Sequence, residues 1–138
     1  MQDIASYIDH TILKPTTTSG DIKRLCEDAL THHFAAVCVP PYFVAQAKTM
    51  LESSAVKVAT VVGFPMGYST IASKLQEIDE ALAAGADEID MVHNIAAVKE
   101  QNWDYLHKEV AACTDRVHET GRIIKIIIES GILTDAEI

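Results

Sequence analysis

The 138-residue sequence is short of basic residues: 11 Lys and Arg stand against 20 Asp and Glu, for a formal charge of −9. A chain that tracks nucleic-acid phosphates needs a basic stripe to displace counterions, and there is none. The same acidity offers an anion no long-range attraction, so any phosphate would need a local pocket. Cysteine is scarce as well. Cys26, Cys38 and Cys113 are odd in number, widely spaced and set in apolar stretches, which argues against a disulfide framework or a cysteine zinc site and for reduced, buried thiols. No apolar run approaches the roughly 20 residues that cross a bilayer, and residues 1–7 lack a basic segment followed by an apolar one. These absences predict small-molecule chemistry in the cytoplasm, with no nucleic-acid partner and no membrane.

What is present is material for a core. Apolar residues make up 49% of the chain, which excludes a disordered or low-complexity protein, and the length suits a single domain over residues 1–138. Four stretches carry helical apolar spacing. Ile22, Leu25, Cys26, Ala29 and Leu30 form one face, with Thr18 and Asp21 placed before them as a capping box. Phe43, Ala47, Met50 and Leu51 form a second, opened by Pro40 and Pro41. Ile71, Leu75, Ile78 and Leu82 run into Gly85, and Trp103, Leu106, Val110, Cys113 and Val117 run to Gly121. Between them lie short β-branched runs at residues 35–39, 57–62, 88–92 and 123–128, which suit strands buried on both faces, and residues 7–11 supply an earlier strand.

Strict alternation of strand and helix leaves two architectures, an open doubly wound sheet and a closed (β/α)8 barrel. Polar residues inside the strands favour the barrel. On the fourth strand Asp90 shares a face with Glu88 and Val92; on the fifth Lys125 shares one with Ile123, Ile127 and Glu129. A lysine in such an aliphatic run is costly to desolvate unless an opposite charge stands on the next strand. The expected fold is therefore α/β, a partial TIM barrel of about five parallel strands with covering helices. Thr134 and Glu137 stand at capping-box spacing, yet no apolar face follows before Ile138, so the sequence is expected to be part of a longer barrel.

Asp90 and Lys125 are the leading candidates for chemistry. They read either as a buried ion pair with no role in turnover or as a carboxylate and a lysine that move protons in a Schiff-base enzyme. His10 and His93 each follow a strand, and a two-histidine metal site with Asp9 or Glu129 is conceivable, although no known ligand spacing is present. His32, His33, His107 and His118 are expected to be solvated. Gly63, Pro65 and Gly67 form a tight turn that matches neither a dinucleotide fingerprint nor a Walker loop, so no nucleotide cofactor is implied.

Five ordered runs carry a resemblance: IDHTILKP at residues 8–15, AAVCVPP at 35–41, VVGFPMG at 61–67, GADEIDMV at 85–92 and IKIIIESGIL at 124–133. Together they resemble the deoxyribose-phosphate aldolase family over nearly the whole chain. The resemblance implies a class I aldolase on a (β/α)8 barrel. Such an enzyme reversibly joins acetaldehyde and glyceraldehyde 3-phosphate to give 2-deoxyribose 5-phosphate, without metal or cofactor. It implies that Asp90 is the carboxylate of a proton relay and that Lys125 lines the site without forming the Schiff base. Asp9, Thr11 and Cys38 match positions near the substrate, with Thr11 a candidate hydroxyl contact. The family's Schiff-base lysine, in a KTSTG-like motif, its second essential lysine and its phosphate-binding loops have no counterpart in these residues.

The chain alone is therefore expected to be inactive, because without an imine there is no electron sink and Asp90 has no carbanion to serve. An alternative of a different class is a non-catalytic, self-associating half barrel, a homo-oligomer formed through exposed strand edges. A third possibility makes Lys125 itself the imine-forming residue.

Overall fold

The computed structural model describes residues 4–138. Five strands, β1 (Asp9–Thr11), β2 (Ala36–Val39), β3 (Lys57–Val62), β4 (Glu88–Val92) and β5 (Ile123–Ile127), follow one another in the sheet in chain order. The helices between them are α1 (Ser19–His32), α2 (Val44–Leu51), α3 (Ile71–Ala83), α4 (Ile95–Lys99) and α5 (Trp103–His118). A doubly wound sheet reverses its strand order at a switch point, whereas this order runs on without reversal, as in a (β/α)8 barrel. The expectation of a partial barrel of α/β class holds. By contact density the chain divides into two interleaved units, residues 1–60 with 81–88 and residues 61–80 with 89–138.

In the first unit, α1 begins as its sequence predicts. Thr18 accepts the Asp21 amide at 3.3 Å while Asp21 accepts the Thr18 amide at 2.8 Å; the Thr18 hydroxyl, donating to the Asp21 carboxylate at 2.6 Å, and then the Thr18 amide hold that carboxyl below its ordinary range. Ile22, Leu25, Cys26 and Ala29 are buried, while Leu30, expected on the same face, is 40% exposed. It stands at the helix end, where His33 takes the left-handed conformation and turns the chain away. β1 pairs in parallel with β2, which has no exposed residue, and β2 with β3. The Thr60 hydroxyl, wholly buried, donates to the Val39 carbonyl at 2.7 Å. A second tie was invisible to apolar periodicity: Lys48 of α2 reaches both oxygens of buried Asp87 at 2.8 and 2.7 Å, and Asp87 also accepts the Val58 amide. Gly85 lets the lysine shaft pass, since a Cβ there would lie 2.9 Å from Lys48 Cγ.

In the second unit the reading of helix faces needs correcting. α5 buries Leu106, Glu109, Cys113 and Val117, while Val110 is half-buried and Trp103 lies 46% exposed. α3 buries Lys74 together with Ile78 and Ala81. Both charged residues lie at helical spacing within the apolar stripe, where a search for apolar residues passes over them. The short α4, capped by Asn94 through the Ala97 amide at 3.2 Å, was also missed, because five residues are too few to show a period. β5 departs from the expected burial on both faces: all its residues are half-buried or exposed, with Ile123 at 54%. It is the last strand in the sheet order, so among the described residues no strand pairs beyond it. At the end of the chain Glu137 accepts both the Thr134 amide and its hydroxyl, as the capping spacing predicts. Lys99, then the Thr134 amide, draw the Glu137 carboxyl down to about 2.

Candidate active site

The charged pair anticipated from strand alternation forms. Lys125 Nζ lies 3.0 Å from Asp90 Oδ1, with the two side chains 39% and 16% exposed. Each stands at the middle of its strand, Asp90 on β4 and Lys125 on β5. Burial this deep at Asp90 keeps much of the field that a bulk dielectric would screen, while the Lys125 side chain stays partly in contact with solvent. A carboxylate and an ammonium so placed can pass a proton to and from a bound carbon acid.

The backbone around Asp90 is tightly held. Its neighbours Ile89, Met91 and Val92 are fully buried. His93, just past the strand, donates its amide to the Ile127 carbonyl at 3.3 Å, and its Nε2 lies 3.0 Å from the Ile128 carbonyl. That contact gives the rim histidine a structural partner at the end of β5. Among the described residues no group of three His, Cys, Asp or Glu is placed to hold a metal ion.

In the first unit, Thr11 and Cys38 are register partners on β1 and β2, two residues along from Asp9 and its partner Ala36. The Thr11 hydroxyl is exposed and donates to the Asp9 carbonyl at 2.9 Å, which leaves its lone pairs open to a second donor. Cys38 is 3% exposed, and Asp9 is half-buried. Burial pushes the other two thiols, Cys26 and Cys113, up to about 11, so neither is a nucleophile at neutral pH. His32, His33, His107 and His118 are exposed, as expected.

Parallel strands in chain order, with a carboxylate and a lysine facing each other on adjacent members, are the framework of a barrel enzyme. Comparison with known proteins makes the class specific. A model of the DeoC/LacD family of aldolases matches residues 4–138. Deoxyribose-phosphate aldolase from Caldicellulosiruptor saccharolyticus is 48% identical over 137 residues, 99% of this chain and 62% of that protein. Among solved structures, the aldolase QR15 superposes with a TM-score of 0.92 at 32% identity, over 99% of this chain and 60% of its own. The tetrameric deoxyribose-phosphate aldolase of Aeropyrum pernix gives a TM-score of 0.88 at 29% identity, over 97% and 56%. This chain belongs to the DeoC/LacD aldolase family. It spans about three fifths of the length of the curated relatives it matches. No helix among the described residues is long and apolar enough to cross a membrane.

Proposed function

We propose that this chain carries the proton-handling part of a class I aldolase that cleaves 2-deoxyribose 5-phosphate to acetaldehyde and glyceraldehyde 3-phosphate. The observation that carries the reading is the contact between Asp90 and Lys125 at 3.0 Å. In this reading Asp90 takes and returns the proton on the carbon that becomes nucleophilic. Lys125 keeps the carboxylate ionised and oriented, and it does not form the imine. Thr11 contributes a hydroxyl contact to substrate, with Asp9 and Cys38 near it on the same two paired strands. The lysine that forms the Schiff base belongs to a segment with no counterpart in these 138 residues, so the chain alone does not turn over. The test is whether Lys125 forms an imine with acetaldehyde; it should not do so in preference to an ordinary surface lysine.

A second reading rests on the exposure of β5. Its open edge and half-exposed isoleucines suit pairing with another copy of the chain. Light scattering should then give a dimer or larger species, and a monodisperse monomer would dismiss the idea.

A further inference from the structure

The end of β4 is gripped by two charged residues that no step of the proposed chemistry uses. Lys74 of α3 and Glu109 of α5 are both wholly buried, and their side chains meet at 2.8 Å. Lys74 Nζ also donates to the Val92 carbonyl at 2.8 Å, and the second oxygen of Glu109 accepts the Asn94 amide at 2.8 Å. The pair thus bonds the last carbonyl of β4 and the amide of the residue that caps α4. The preceding turn is shaped around it: a Cβ on Gly63 would lie 2.8 Å from Lys74 Cε, and the Gly63 amide is in turn held by Glu77.

Stability alone is a poor reason for such a pair. Well-packed apolar residues of similar volume usually do as well or better in a core, because desolvating two charges offsets most of their attraction. What methionine and leucine cannot do is bond two backbone groups at fixed positions. We infer that Lys74 and Glu109 are positioning residues, which set the backbone at the end of β4 so that Asp90, two residues earlier, meets Lys125. The catalytic meaning of this rests on the aldolase reading of Asp90; the geometric claim does not. Neither residue touches the reacting atoms.

The experiment compares the carboxyl-carbon NMR resonance of Asp90 in four proteins: the unaltered chain, Lys125→Met, Lys74→Met/Glu109→Leu and Lys74→Met/Glu109→Gln. Lys125→Met defines the resonance of Asp90 without its partner. The leucine double variant leaves the Val92 carbonyl and the Asn94 amide without these partners, so it should stay folded with a thermal midpoint lowered by roughly 5–15 °C. Its Asp90 resonance should nevertheless move most of the way to the Lys125→Met value. Glutamine restores an uncharged acceptor for the Asn94 amide, so its double variant should bring the resonance back toward the original. A purely structural pair predicts no movement in either folded variant, and that result overturns the inference. Should the double variants not fold, amide exchange on the unaltered chain decides. Asn94 must be protected as strongly as Met91 inside β4, and exchange at the rate of an open loop amide overturns it. None of these readouts depends on aldolase activity, so failure here leaves the aldolase reading standing, and the reverse also holds.

Discussion

Gly67→Ala is expected to cost the chain about 4 kcal/mol or more, enough to leave a domain of this size largely unfolded. Gly67 sits in the turn between β3 and α3 with φ of +72°, where a β-carbon is already disfavoured by roughly 1 kcal/mol. The added methyl would fall 2.0 Å from the His93 carbonyl oxygen and 2.9 Å from Val92 Cγ1. Backbone cannot yield there cheaply. His93 is tied to β5 through both its amide and its ring, and Val92 is held by Lys74. Gly121→Ala is the matched control, since φ is +70° but nothing lies within 4 Å of its Cβ. It should lose only about 1 kcal/mol, the backbone part. Urea unfolding of the two variants separates them, and equal losses would mean that the close approach of Gly67 to β4 is wrong.

Asp90→Asn should lower turnover by about 10²- to 10⁴-fold, the usual range for removing a general acid or base. The measurement needs the enzyme assembled from this chain and the remaining segment of a relative, with release of acetaldehyde from 2-deoxyribose 5-phosphate as the signal. Asparagine keeps the shape of the carboxylate and cannot take a proton, so substrate binding should survive while the rate constant falls. Stability should fall by about 1–3 kcal/mol, because Asp90 is only 16% exposed and asparagine leaves the Lys125 ammonium without its opposite charge. A variant that kept full turnover would reduce the Asp90–Lys125 contact to a structural ion pair.

Features written into local sequence were the legible ones. The Thr18–Asp21 box, the buried positions Ile22, Leu25, Cys26 and Ala29, and the five strands in order all follow from spacing that short-range sterics and hydrogen bonds enforce. The Asp90–Lys125 pair was legible for a similar reason: two charges in neighbouring aliphatic strands of like register have few ways to be satisfied except by each other. Lys74, Glu109 and Asp87 were not found, because a pattern search that rewards apolar residues discards a charge buried by a partner 29 or more positions away. A sign was available: a lysine and a glutamate each lie inside an otherwise apolar helical stripe. The exposure of β5 could not be read from its composition, since Ile-Ile-Lys-Ile-Ile looks the same whether or not another strand follows it in the sheet. Burial there is set by neighbours, not by the strand itself.

The most direct measurement is peptide mapping after brief exposure of the chain to acetaldehyde and borohydride, scoring the reduced adduct on each lysine. Lys23 on α1, 65% exposed, sets the background for an ordinary amine. If Asp90 and Lys125 handle protons and the nucleophile lies elsewhere, Lys125 will carry no more adduct than Lys23. Preferential, near-stoichiometric labelling of Lys125 would contradict that division of roles and make this lysine the imine-forming residue.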